Sequence, residues 1–384
     1  MMNNSDNQFD DIRPLNDNEV PEAIAQLIAD ERFKRAAEPI AKPYTWEQFT
    51  YMLSTCKSKE DFQTKIVSRI MNRLIEKTTT EMKGFGWENI SEDEAHLFIS
   101  NHRDIVLDAA FFNMLLFGTG SNTTEIAIGD NLLIYPWIEK LVRINKSFIV
   151  KRGVSVRQML TVSKHLSDYI HDTIRDRNQS IWLAQREGRA KDSNDRTQTS
   201  LLKMLTLHDS REPLLALKQL NIIPLSISYE YDPCDYLKAK EFQLKRDNPE
   251  HKKSQADDIE NMYTGMVGLK GRVHFRLGEC INPVISNISV ETGRNDMLEK
   301  VADVIDKEIF KNYSFFPINY IAYDLMTGSQ EFSSEYSSED KVNFNNYIDT
   351  QIDKIKIIHK DEDFLRQKMI EMYGNTVKNH LNSK

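Results

Sequence analysis

The stretch Ile99-Ser100-Asn101-His102-Arg103-Asp104-Ile105-Val106-Leu107-Asp108 decides how this chain is read. Leu97, Phe98 and Ile99 end an apolar, strand-like run, and a polar turn carrying His102 follows. A helix-like run then extends from Ile105 to Phe117, with Asp104 and Asp108 near its start. That layout holds an imidazole at the end of a strand and brings a carboxylate close enough to orient it. A base so oriented takes a proton from a hydroxyl nucleophile. His and Asp share short windows often, so the weight rests on what lies downstream.

Three further blocks share the pattern of an apolar run ending in a functional turn. Phe148-Ile149-Val150-Lys151-Arg152 delivers two cations, and Ile181-Trp182-Leu183-Ala184 runs into Gln185-Arg186-Glu187-Gly188-Arg189. Ile222-Ile223-Pro224-Leu225-Ser226-Ile227-Ser228-Tyr229 is a strand led by Pro224. Strands alternating with helical stretches predict βαβ units, whose functional groups collect at the carboxyl ends of the strands.

Taken in order, these blocks resemble the glycerophospholipid acyltransferase superfamily, in its glycerol-3-phosphate and 1-acylglycerol-3-phosphate (lysophosphatidate) acyltransferase branches. The family carries His-x4-Asp, a Phe-Ile-x-Arg-like block, Glu-Gly-x-Arg and a Pro-led strand. Here Asn101-His102 to Asp108, Phe148 to Arg152, Glu187-Gly188-Arg189 and Ile223-Pro224 stand for them. The run Lys270 to Glu279 looks like the strand that closes the same domain, so the resemblance covers residues 90 to 285. It implies an α/β fold: a glycerol-3-phosphate acyltransferase-like αβ domain at 91–290, between an N-terminal helical region (1–90) and a C-terminal one (291–384).

The chain departs from the family pattern twice. The first block reads His-x5-Asp, which puts Leu107 where the family has Asp. The third reads Glu-Gly-Arg, one residue short, so aligning Arg189 would place Arg186 at the family's Glu. An extra residue in the first helical turn rotates a side chain by about 100°. Asp108 reaches His102 only if the helix starts one residue later or is locally rewound. Asp104 is the rival partner, although its place before Ile105 also suits a helix N-cap.

The resemblance implies direct acyl transfer. His102, polarised by Asp108, would deprotonate the acceptor hydroxyl as it attacks an acyl thioester. Arg152 and Arg189 would bind the acceptor phosphate, since guanidinium meets phosphate bidentately. Lys151 and Arg186 are further candidates for that anion, with Glu187, Gly188 and Pro224 shaping the pocket. No cofactor or metal is expected, and acyl-CoA or acyl carrier protein enters as co-substrate. Two alternatives stand beside this reading: O-acylation of another lyso-lipid with an amino-acid headgroup, and a non-catalytic, membrane-associated lipid-binding relative. His102-Arg103-Asp104 also spells the start of a protein-kinase catalytic loop. That motif needs Asn five residues after the Asp, where this chain has Ala109.

Composition agrees with a globular protein of about two domains: 384 residues, 40% hydrophobic and 28% charged. Three dispersed cysteines (Cys56, Cys234, Cys280) argue for a reducing cytoplasm and against a disulfide frame or zinc site. The Asn- and Asp-rich start lacks the regions of a signal peptide, and no run approaches the ~20 apolar residues of a membrane span. The expected location is cytoplasmic, with peripheral docking on the inner face of the membrane and the Pro136-Trp137-Ile138 turn as a contact. The net charge of -8 opposes nucleic acid as a partner. Yet Lys140, Arg143, Lys146, Lys151, Arg152 and Arg157 follow one another without an intervening Asp or Glu, a local field suited to anions.

Outside the central blocks the pattern is helical. Residues 1–12 read as a disordered acidic lead, and helices fill Val20 to Lys83, with Ser58 and Asp61 as a capping pair. Gly84 to Ser91 is the expected domain boundary. Asp296 to Phe310 and Phe344 to Ile355 carry helical apolar spacing, Pro317 to Leu325 reads as a connection, and Ser329 to Asp340 as an exposed loop.

Overall fold

A computed structural model describes residues 8–91, 93–289 and 293–384. Its centre is a seven-stranded sheet in the order β1-β7-β6-β2-β5-β3-β4. The strands are β1 (Thr79–Phe85), β2 (Leu97–Ser100), β3 (Glu125–Gly129), β4 (Ser147–Val150), β5 (Ile181–Ala184), β6 (Ile222–Tyr229) and β7 (Gly271–Leu277). β6 and β7 are antiparallel, and every other pairing is parallel. This is the mixed α/β architecture expected, with helices flanking a central sheet. The short central strands are buried along their length, as strands covered on both faces must be.

The helices that matter below are α1 (Val20–Ile28), α2 (Glu31–Ala41), α3 (Trp46–Ser54), α4 (Ser68–Thr78), α5 (Leu107–Gly118), α6 (Pro136–Ile144) and α7 (Val156–His171). After them come α8 (Asp235–Asp247), α9 (Gln255–Val267), α10 (Arg294–Lys311), α11 (Pro317–Thr327), α12 (Ser338–Asp353) and α13 (Glu362–Asn382). One face of the sheet packs on α5 through Phe98, Phe111, Phe112, Trp182 and Phe275. The other packs on α7 and α10 through Ile99, Phe148, Tyr169, Ile170, Val301 and Ile305. The first helices and α11–α13 hold separate apolar clusters.

Four expectations about organisation change. Residues 1–7 of the expected acidic lead lie outside the described residues, but the rest of it is folded: Phe9 and Ile12 are buried, and Ile12 O accepts the Ile149 N–H at 2.9 Å. The boundary expected at Gly84 to Ser91 cuts into β1, which pairs with β7, so the sheet begins about a dozen residues before 91. β1 escaped notice because its edge position leaves it half-exposed and polar. The 91–290 and 291–384 division also separates α10 from the sheet face it covers. Finally, Pro317 to Leu325 is helical: Pro317 takes the first turn, where its missing N–H costs nothing, and Gly328 ends the helix at φ 69°. Ser58 caps its helix as expected, its hydroxyl accepting the Asp61 N–H at 3.1 Å. Among the described residues no helix is long and apolar enough to cross a membrane.

Candidate active site

The site is built at the carboxyl end of β2. Asn101 fixes that end: its amide donates to Ile227 O and accepts from Ile227 N, both at 2.8 Å, clamping β2 to β6. The chain then turns through His102 to Val106 before α5 begins at Leu107. This later start is the geometric answer to the extra residue in the His-Asp spacing. It brings Asp108 back under the turn, with Oδ2 2.8 Å from His102 Nδ1. The same oxygen accepts the backbone N–H of Arg103 at 2.7 Å and of Asp104 at 3.0 Å. Asp108 thus holds the imidazole and the turn together, with its side chain only 1% exposed. A carboxylate at Nδ1 fixes the tautomer with the proton there and leaves Nε2 as the acceptor. His102 keeps 14% of its side chain exposed, and its ring lies edge-on to Trp182 at 5.9 Å.

Asp104 takes the cap role. Its Oδ1 accepts from Val106 N at 2.9 Å and Leu107 N at 2.8 Å, two donors the helix start leaves open. Burial, reinforced by the neighbouring Asp108 charge, raises its pKa above the ordinary carboxylate value. Helix α9 lies against it so closely that a Cβ on Gly265 would fall 1.9 Å from Asp104 Oδ2. Only glycine fits this contact.

Four further side chains complete the turn. Lys238 of α8 is buried, donates to Arg103 O at 3.1 Å and pairs with Asp232. Asp195 lies 2.7 Å from Arg103 Nη1; burial opposes the Arg103 charge, but this carboxylate carries the guanidinium above its usual pKa. The Tyr229 hydroxyl, at the end of β6, is buried beside Asp108; burial first, then that charge, holds it well above the normal phenol range. Cys234 donates to Asn261 O at 3.3 Å, and burial pushes its thiol up to about 12, which leaves no thiolate nucleophile. Tyr229 and Asn101 sat inside quoted blocks, so their positions were readable. Lys238, Asp195 and Gly265 lie far off in sequence and carry no motif.

The cations proposed for phosphate separate into three environments. Arg189 is half-buried, donates through Nη2 to Asn261 Oδ1 at 2.9 Å, and feels the Asp104 charge. Its Nη1 is buried with no hydrogen-bond partner among the described residues. Arg152 is exposed, packs over Gly129 and pairs with Glu187 at 2.9 Å. The two guanidiniums thus have different protein partners, Glu187 for Arg152 and Asn261 for Arg189. Lys151 pairs with Asp11 of the N-terminal segment, which also accepts from His165 at 3.0 Å. Arg186 has no ion-pair partner among the described residues. Gly188 adopts φ 67°, the left-handed turn that glycine permits, and Pro224 sits buried in β6 opposite Ile99. No group of three or more metal-ligating side chains occurs among the described residues. A cavity of about 90 Å³ lies between α3 and α4 near Pro43 and Tyr44 and is lined by none of these residues. Trp137 packs on Phe33 within the N-terminal cluster, which removes it as a membrane contact.

Residues 83–228 match the family model described as Acyltransferase. The matched segment runs from within β1 to within β6 and takes in the His102, Arg152 and Glu187-Gly188-Arg189 blocks and most of the Pro224 strand. The crystal structure of the 1-acyl-sn-glycerophosphate acyltransferase PlsC from Thermotoga maritima is similar to the chain at a TM-score of 0.36 and 12% identity, over 78% of this chain and 97% of that one. No curated protein matches the chain.

Proposed function

We propose that the protein moves a fatty acyl group from an acyl thioester to a hydroxyl of glycerol 3-phosphate or a lysophosphatidate-type acceptor. The observation that carries this reading is the His102 Nδ1 to Asp108 contact of 2.8 Å within the segment that matches the Acyltransferase family model. His102 Nε2 takes the proton from the acceptor hydroxyl as that oxygen attacks the thioester carbonyl. The C–S bond of the tetrahedral intermediate then breaks, and the imidazolium returns its proton to the leaving thiolate. Asp108 holds the ring and offsets the imidazolium charge without itself becoming protonated. The unpartnered Nη1 of Arg189 is the donor best suited to the acceptor's phosphate, and Arg152 and Arg186 add positive potential at the rim.

The test is purified protein assayed with acyl-CoA and acyl carrier protein thioesters against glycerol 3-phosphate, lysophosphatidate and phosphate-free lysolipids. Turnover confined to phosphate-bearing acceptors, and abolished in a folded His102→Ala protein, is the expected result. Turnover only with an amino-acid-headgroup lysolipid would reassign Arg189 to a carboxylate. No transfer to any acceptor would overturn the reading.

A further inference from the structure

Arg103, the residue that follows the base, is fixed at all three of its polar ends. Its N–H donates to Asp108 Oδ2 at 2.7 Å, its guanidinium lies 2.7 Å from Asp195, and its carbonyl accepts from Lys238 Nζ at 3.1 Å. The first contact lies inside the His102 turn. The other two come from farther along the chain, and Lys238 stands past residue 228, where the family match ends. Its side chain is 1% exposed, and its ammonium pairs with Asp232. A cavity of about 30 Å³ lies against this group, with Arg103, Tyr229, Asp232 and Tyr373 in its wall. Close packing therefore does not immobilise the turn from this side, and directional contacts are what hold it.

Lys238 is itself held from the C-terminal helices. Tyr373 of α13 accepts the Asp232 N–H at 3.1 Å and donates to Asp235 Oδ2 at 2.7 Å. Tyr347 and Gln351 of α12 donate to the two oxygens of Asp235, each at 2.7 Å. Asp232 also accepts the Cys234 N–H at 2.9 Å, so both carboxylates stand at the start of α8, the helix that carries Lys238. A continuous set of bonds thus runs from α12 and α13 through Asp235, Tyr373, Asp232 and Lys238 to Arg103 O. Stability alone does not call for such a chain. A buried ion pair can often be exchanged for uncharged side chains of similar volume without loss, because desolvation offsets its attraction. Its best-attested use is to fix position, and the position fixed here is the backbone directly after His102.

We propose that Lys238 is a positioning residue of the His102 turn, set in place by α12 and α13 through Asp232 and Asp235, so that helices beyond the matched segment belong to the frame that holds the base. Its kinetic consequences rest on the acyl-transfer reading, whereas its spectroscopic ones do not. The test uses the full-length protein labelled isotopically at histidine. The His102 Nδ1–H beside Asp108 should give a downfield proton resonance, identified by its loss in His102→Ala. Lys238→Met with Asp232→Asn removes both charges of the pair at similar volume. Expected are a native circular dichroism spectrum, a His102 resonance that shifts or broadens, and a kcat lowered about tenfold or more. KM for donor and acceptor should stay within about twofold, the mark of a group felt only in the transition state. Tyr373→Phe keeps the ring and loses only the hydroxyl, so it should move the same resonance less and lower kcat about threefold. That effect should disappear in the Lys238→Met, Asp232→Asn background, since both changes act along one path. Should the double variant fail to fold, Tyr373→Phe decides: a moved resonance with lowered kcat supports the proposal, and native values of both overturn it. A folded double variant with an unmoved resonance and unchanged kcat would overturn it as well. So would a loss confined to thermal stability. A resonance that moves in a protein that transfers no acyl group would leave the positioning standing and remove the reaction.

Discussion

The turns after β2 and after β4 end neighbouring parts of one sheet edge, yet they are built in opposite ways. After β2 the polar groups are buried and cross-linked: Asp108 binds His102 and two amides, Asp104 binds two more, and Lys238 holds Arg103 O. After β4, Lys151 and Arg152 extend into solvent and pair with Asp11 and Glu187, themselves exposed. The first arrangement holds the His102 ring in a buried, mutually bonded frame, as the proposed proton transfer demands. The second leaves its cations in exposed ion pairs. Buried, mutually bonded groups lose heavily when one member is removed, whereas exposed pairs contribute little each.

The sharpest break in this contrast is His102→Ala, expected to lower turnover by ~10² or more in a protein that still folds. Steady-state assays of Asp108→Asn and Asp104→Asn then separate the two carboxylates. Asp108→Asn should lose turnover on a similar scale, because the amide cannot hold the same tautomer. Asp104→Asn should cost mainly about 1 kcal/mol of stability through its weakened cap, read in a denaturant melt. Equal losses of turnover would show that the cap and the orienting group act as one unit.

The next effect divides the arginines. Arg189→Ala should raise the acceptor's KM roughly tenfold to a hundredfold, the value of a charge-assisted contact of about 1.5–3 kcal/mol. Arg152→Ala, already satisfied by Glu187 and open to water, should raise it less than about fivefold. Kinetics in which Arg152 dominates would mean that the rim closes on substrate and that the resting geometry is not the binding one. Gly265→Ala tests the contact from the α9 side. A Cβ 1.9 Å from Asp104 Oδ2 forces the helix or the carboxylate to move, for a loss of about 1–3 kcal/mol and a drop in turnover of about tenfold. A fully active, fully stable Gly265→Ala protein would show that α9 rides loosely on the turn.

The smallest effect lies at the far end of α7 and leaves activity alone. His171 is buried, donates to Leu205 O at 3.1 Å and stacks on His208 at 4.2 Å. Burial lowers its pKa to about 4. In the unfolded chain it titrates near 6.5, so between pH 6.5 and about 4 the unfolded state binds more protons and stability falls as pH falls. His171→Gln should flatten that slope, on the order of 1–3 kcal/mol, in denaturant melts across this range. An unchanged slope would place the acid sensitivity elsewhere.

Much of the site was legible because its chemistry sits in one short run. The strand-turn-helix around His102 could be read from Leu97 to Phe117, and the extra residue before Asp108 posed a definite geometric question. Sequence could state that question but not answer it, since the start of α5 depends on Asp104 finding two amides and on Gly265 leaving room for it. The strands β1 and β3 were missed for a different reason. Thr79 to Phe85 mixes charged and apolar residues as an edge strand does, and Glu125 to Gly129 opens on a charge and closes on a glycine. Sequence could put Arg152 and Arg189 at strand ends on one sheet edge but could not name their protein partners, Glu187 and Asn261, which reach them only in the fold.

The segment around Ile12 has a consequence for the chain in crowded solution. β4 is the last strand of the sheet, and an unpaired edge is a template onto which other molecules add strands. Ile12 O takes the Ile149 N–H, while Phe9 covers Phe148 and Tyr169 from the same side. Residues 9–12 thus blunt an aggregation-prone edge without forming a strand themselves. Removing them would leave the His102 turn untouched and still shorten the working life of the protein, through self-association that grows with concentration.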